Sequence, residues 1–267
     1  MRIILLVALA VATLRAQSPP AHTAPPTREE LNAISVRGLM LAAYDRAAWD
    51  AGDAIMAVSP DPSQIQQYLV VFGRPGWPVY FGTLSPARDT FYVYYEAVKR
   101  GSDTTYTVSH LPLPDPDTGQ RLHELRALTT ARAAFGPISR PYNYAVIPTG
   151  TGDWWVYAYP AQTSNNFWPL GGDERFRFSA DGNHILERHR MHVSILEVPL
   201  GDVKGPPGYV REGYLHTDVV DNRPEDTDVF GVMARKPRDV ERVVTKHWEY
   251  LIHTDGRITS PASLDTP

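Results

Sequence analysis

Glu174-Arg175-Phe176-Arg177-Phe178-Ser179-Ala180-Asp181-Gly182-Asn183-His184-Ile185-Leu186-Glu187-Arg188-His189-Arg190 is the stretch that sets the fold class. Residues 174–179 and 184–190 read as strands. Between them, Asp-Gly and Asn tolerate the positive φ of a tight turn, so the segment is an antiparallel hairpin. Working outward, 144–148 and 154–159 are two more strands. Residues 243–253 and 257–259 form another predicted hairpin around Thr254-Asp255-Gly256. Toward the N-terminus, 67–72, 79–83 and 90–98 are strand-like, with Gly73-Arg74-Pro75-Gly76 as a turn between the first two. Phe91, Val93 and Tyr95 lie on one face of 90–98, and Tyr92, Tyr94 and Glu96 on the other, which predicts a strand covered on both sides. Residues 103–119 are polar and Pro-bearing and read as a long loop.

Two helices complete the pattern. Thr27 with Glu30 matches a capping box, after which Leu31, Ile34, Leu41, Ala42, Ala48 and Trp49 recur near helical spacing. Gly38 and Gly52 weaken that periodicity, so one helix or two in sequence are expected before Ser59. Leu122, Leu125, Leu128 and Ala131 mark a further helix over 121–135. The class is α+β: an N-terminal helix, antiparallel strands, a second helix, and a mainly antiparallel C-terminal half. Gly136-Pro137 and Arg140-Pro141 separate region 28–136 from region 141–260, as a domain boundary or as a loop within one domain.

Arg2 followed by the apolar run 3–14 reads as a signal peptide over 1–16, too short to span ~30 Å of hydrocarbon. Residues 17–27 read as a Pro-rich flexible tether, and no later run is apolar enough for a membrane span. The expected location is periplasmic or secreted. The chain has no cysteine among 267 residues, which excludes disulfides and thiolate metal sites. The formal charge is −4 and falls by two if Arg2 and Arg15 leave with the signal, which argues against nucleic acid as a partner. Arg235, Lys236, Arg238, Arg242 and Lys246 form a basic run interrupted by acids, read as a solvated face.

No P-loop, dinucleotide fingerprint, G-x-S-x-G or H-E-x-x-H occurs. The most suggestive stretch runs from Gly213-Tyr214-Leu215-His216-Thr217-Asp218 to Arg223-Pro224-Glu225-Asp226-Thr227-Asp228. It resembles a degenerate JAMM (MPN-type) metallo-isopeptidase motif, H-[ST]-H followed by S-x-x-D. That resemblance implies zinc held by His216, Asp218 and Asp228, with Asp218 in place of the second histidine, Glu225 in place of the serine and Val219 in place of a proline. It also requires an upstream glutamate base, for which Glu187 and Glu197 are candidates. The plainer reading makes 218–228 a solvated acidic loop. An intermediate reading has Asp218, Asp221, Asp226 and Asp228 offering oxygens to a cation such as calcium. In the JAMM arrangement the S-x-x-D element opens a helix. Here Val229, Phe230, Gly231 and Val232 disfavour one, and the alternation of Phe230, Val232 and Ala234 predicts a strand over 227–235 paired with 240–245.

His184, Glu187, His189 and His192 form a second cluster. On a straight strand His184 and His192 are ~26 Å apart and cannot share a metal. His192 reaches His216 only if the chain bends after Met191. Trp155, Tyr157 and Tyr159 form an aromatic row suited to glycan stacking or to core packing, with core packing the favoured use. Trp155–Tyr159, Leu170–Asp173, Asp181-Gly182, His216-Thr217, Asp226–Phe230 and 243–258 together resemble a group of uncharacterised secreted bacterial proteins, which implies a shared fold and no particular activity. The leading expectation is an exported binding or accessory protein, its partner an envelope protein or a glycan. The alternative is a metal-dependent hydrolase built on His216, Asp218 and Asp228.

Overall fold

The computed structural model describes residues 24–73, 76–201, 212–259 and 261–264. The expected signal segment 1–16, most of the tether, and Arg74-Pro75 of the first turn lie outside them. Among the described residues no helix is long and apolar enough to cross a membrane.

α1 runs unbroken over Arg28–Ala57 and opens with the Thr27–Glu30 capping box. β1 (Gln67–Val70), β2 (Val79–Leu84), β3 (Phe91–Val98) and β4 (Thr107–Asp117) form one four-stranded antiparallel sheet in that order. α2 (Gln120–Phe135) follows and buries Leu122, Leu125, Leu128 and Ala131. A second antiparallel sheet orders β5 (Tyr142–Pro148), β6 (Trp154–Pro160), β8 (Glu174–Phe178) and β9 (Ile185–Arg190). β7 (Phe167–Gly171) leaves that sheet to pair with β10 (Ile195–Pro199). β11 (Tyr214–Thr217), α3 (Asp226–Ala234), β12 (Glu241–Val244), β13 (Trp248–Ile252) and β14 (Ala262–Ser263) complete the chain, with β11 parallel to β12. One apolar cluster draws on α1, α2 and the sheets β1-β2-β3-β4 and β5-β6-β8-β9, and a second joins α1, α3, β12 and β13.

Four expectations change. The 103–119 loop is largely the edge strand β4. Its pairing jumps from Tyr95↔His110 to Val93↔Asp115, so residues 111–114 bulge outward, and prolines that would break a central strand are tolerated on an edge. The far face of β3 is only partly covered, with Tyr92 37% exposed. Residues 243–253 hold two strands, because Thr245 Oγ1 accepts from Trp248 N and turns the chain between β12 and β13.

The fourth change matters most: 227–235 is a helix and not a strand. The Glu225 N–H donates to Asp228 Oδ2 (2.7 Å) at its start, and Asp226 and Asp228 in the first turn complement the helix dipole. Every residue from Asp226 to Val232 is buried. Burying Val229, Phe230 and Val232 is worth roughly 1.5–3 kcal/mol each, which outweighs a propensity deficit of under ~1 kcal/mol per residue. The partner surface is α1 at Gly38, where a Cβ would sit 2.5 Å from Val229 Cβ. The glycine that weakens α1 in the sequence is the point where α3 crosses it.

Candidate metal centre

Three elements deliver three ligand atoms to one point. β9 ends at Arg190, the Met191 N–H bonds to the Asp173 carbonyl (3.1 Å), and the chain bends so that His192 turns inward. Gly171 permits this with φ +84°, since a Cβ there would come within 2.5 Å of Ser194 O and 3.0 Å of His192 Cβ. His216 sits on the inner face of β11. Asp228 reaches back from the first turn of α3. His192 Nε2 lies 3.1 Å and His216 Nε2 3.2 Å from Asp228 Oδ1, and one ligand atom from each residue falls within 4.8 Å of the other two.

Each ring is clamped from behind. Asp173 Oδ1 accepts from His192 Nδ1 (2.8 Å), and Glu241 Oε1 accepts from His216 Nδ1 (2.9 Å). An ionised carboxylate is only an acceptor, so the bond fixes the proton on Nδ1 and aims the Nε2 lone pair at the shared point. Glu241 is itself held by Arg235, which is fully buried and stacks over the Tyr214 ring at 4.0 Å. The basic run is therefore not wholly a solvated face: its first member is an internal strut. Both imidazoles are buried, and His192 Nε2, His216 Nε2 and Asp228 Oδ1 meet at ion-pair distance without a well-formed hydrogen bond on any of the three atoms.

Unpaired buried polar atoms are costly, and three meeting at one point fit a cation. Two imidazole nitrogens and one carboxylate oxygen suit a divalent transition metal, zinc foremost. Burial depresses the His216 ring, but Asp228 and Glu241 outweigh it and lift its pKa to about 9. His192 is raised likewise by Asp173 and Asp228 against its own burial. These charges hold the Asp228 carboxyl far below its usual range despite complete burial.

Of the residues singled out from sequence, His192, His216 and Asp228 come together. Asp218 is buried beside them but outside the three-ligand group: the Val220 N–H occupies its Oδ1 (2.8 Å), and Oδ2 has no partner. Its carboxyl is raised to about 7, mainly by burial, with Asp228 and Glu225 adding and His192 opposing. Glu225, standing where the motif has serine, bonds His189 Nε2 (2.7 Å). Glu187 lies 3.9 Å from Arg175, and Glu197 pairs with Arg140; neither joins the cluster. Tyr157 and Tyr159 are buried, donating to Asp226 and Asp45 (2.8 Å each), and Trp155 lies under the Arg175 guanidinium at 4.6 Å. The acids Asp173 and Glu241 were not singled out from sequence. Asp173 closes the Leu170-Gly171-Gly172-Asp173 run, the one signal that could have drawn attention to it.

Set against protein-family models, curated proteins and solved structures, the chain finds no match.

Proposed function

We propose that this chain is a metal-dependent hydrolase whose divalent ion is held by His192, His216 and Asp228. The observation that carries the reading is the convergence of three buried donor atoms without hydrogen-bond partners, with both rings clamped at Nδ1. Three protein ligands are the number that catalytic zinc sites use, the fourth position being left to water or substrate. When bound, such an ion supplies Lewis acidity and lowers the pKa of water. Asp218, with Oδ2 buried and unpaired, is our candidate for the group that orients that water and takes its proton. The JAMM-like logic survives in part: a strand-end histidine, His216, meets an aspartate from the first turn of a helix, Asp228. The second histidine is His192 from another element, and Asp218 stands at its usual place in the motif. This centre favours hydrolase chemistry over the accessory-protein reading.

The test is metal content. Mature protein dialysed against zinc should retain one equivalent by mass spectrometry, and His192→Ala, His216→Ala and Asp228→Ala should each lose it. Zinc that stays on all three variants, or a wild type that takes none, would remove the reading. With metal bound, Asp218→Asn should keep the zinc and lose at least 100-fold in amide hydrolysis. We also propose export, from Arg2 and the apolar run 3–14. N-terminal sequencing of protein from the native envelope should begin near Gln17, and an intact Met1 on cytoplasmic protein would sink this.

A further inference from the structure

A cavity of about 370 Å³ opens between α1, β6, β7 and α3, on residues that the metal centre does not use. Trp49, Tyr159, Trp168 and Phe230 supply aromatic wall, and Trp49 is 55% exposed at its edge. Volume and lining fall in the range of small-molecule sites, which are mainly apolar with a few placed polar groups.

One of those polar groups is Asp45. The Tyr159 hydroxyl donates to its Oδ1 (2.8 Å), and among the described residues no cation pairs with it. Several buried carboxylates elsewhere do have such partners: Asp226 has Arg37 and Arg175, Glu241 has Arg235, Asp173 has His192 and Glu225 has His189. Cations line the cavity without meeting Asp45. Arg46 is on Asp50 (2.9 Å), Arg238 Nε donates to the Met233 carbonyl (3.0 Å), and Lys236 is exposed and solvent-screened. Asn143 also lines the cavity. A carboxylate without an ion pair, sharing a cavity with aromatic side chains, matches a cation that carries apolar surface, through charge pairing and ring quadrupoles together.

We propose that this cavity binds a small organic ammonium compound, its cationic head on Asp45 and its apolar body against Trp168 and Phe230. Asp45 has no ion-pair partner among the described residues, and this selects a cation over a neutral ligand. Burial lifts the Asp45 carboxyl to about 6, so it is ionised at neutral pH and gains most from a positive partner. This inference stands independently of the metal.

The experiment is calorimetric titration of the full mature chain at pH 7.5 with 2-phenylethylamine and with its neutral isostere 2-phenylethanol, backed by tryptophan emission from Trp49 and Trp168. The amine should bind at least tenfold tighter than the alcohol, and Asp45→Asn should abolish that difference. Equal binding of the two probes, no binding of either at millimolar concentration, or undiminished amine binding by Asp45→Asn would overturn the proposal. If Asp45→Asn does not fold, Ala43→Trp fills the cavity while leaving the carboxylate in place. Loss of amine binding with an unchanged melting temperature supports the site, and retained binding overturns it.

Discussion

Asp226 and Asp228 stand two residues apart in the first turn of α3, both with no exposed side-chain surface, and they do opposite things. Asp226 is saturated. Arg37 Nε reaches both its oxygens at 2.9 Å, Arg175 bonds Oδ2 at 2.5 Å, and the Tyr157 hydroxyl adds 2.8 Å. Asp228 is half satisfied: Oδ2 caps the helix and Oδ1 faces two imidazole nitrogens with which it forms no hydrogen bond. Both carboxyls are held below their usual range against complete burial, Asp226 by guanidinium charge and Asp228 by the two imidazoles. A guanidinium cannot release its proton, whereas an imidazole can exchange its proton for a metal. Full pairing marks Asp226 as a strut that ties α1 and β8 to α3, and partial pairing marks Asp228 as a ligand.

The largest effect should come from breaking the saturated side. Arg175→Met leaves Asp226 with Arg37 and Tyr157 alone in a buried site. Removing one partner of a buried pair costs about 3–5 kcal/mol, so urea unfolding should show a loss of that size. A loss under ~1 kcal/mol would place Asp226 in the weak class of surface pairs and erase the contrast with Asp228.

Asp45 sharpens the comparison as a carboxylate with neither strut nor imidazole. Burial lifts its folded pKa to about 6, above the ~3.9 of a free aspartate. The folded chain therefore binds more protons between those values, and stability from this group falls as pH rises from about 4 to about 6. Asp45→Asn keeps an acceptor for the Tyr159 hydroxyl and removes the charge. Above pH 6 it should be more stable than wild type by roughly 2 kcal/mol, with the difference shrinking toward pH 4. Equal unfolding midpoints for the two proteins at pH 7.5 would show that Asp45 is solvated.

What the sequence disclosed follows the range of the interactions involved. The Thr27–Glu30 cap, the Asp181-Gly182 hairpin and α2 are set by neighbours a few residues away, and all three are legible. β4 was hidden because prolines exclude a central strand but permit an edge, and sequence does not say which strand is last. α3 was hidden because its local preference is for strand. What overrides that preference is Gly38 across 191 residues and the surrounding burial. The centre itself was half legible. His216 and Asp228 lie in one readable stretch. His192 enters through a bend after Met191, and its anchor Asp173 is 19 positions away in sequence. The His216 anchor, Glu241, is 25 positions away and arrives through a parallel β11–β12 pairing that no pattern announces.

The smallest effect tests whether those anchors serve the metal or merely the fold. Glu241 is the poorer choice for mutation, because it also neutralises the buried Arg235, and its loss would disturb packing and metal together. Asp173 has one imidazole to hold. Asp173→Ala removes the acceptor from His192 Nδ1 and frees the ring to rotate or change tautomer, so zinc affinity should fall 10–100-fold in a chelator competition. Asp173→Asn can still accept the Nδ1 proton through its amide oxygen and loses only charge, so it should fall near the low end of that range. The order wild type, Asn, Ala is the signature of a carboxylate that orients and polarises a ligand. If both variants bind zinc like wild type while their melting temperatures drop, Asp173 holds the bend at Met191–His192 and nothing more, and the contrast between Asp226 and Asp228 would no longer extend to the residues behind them.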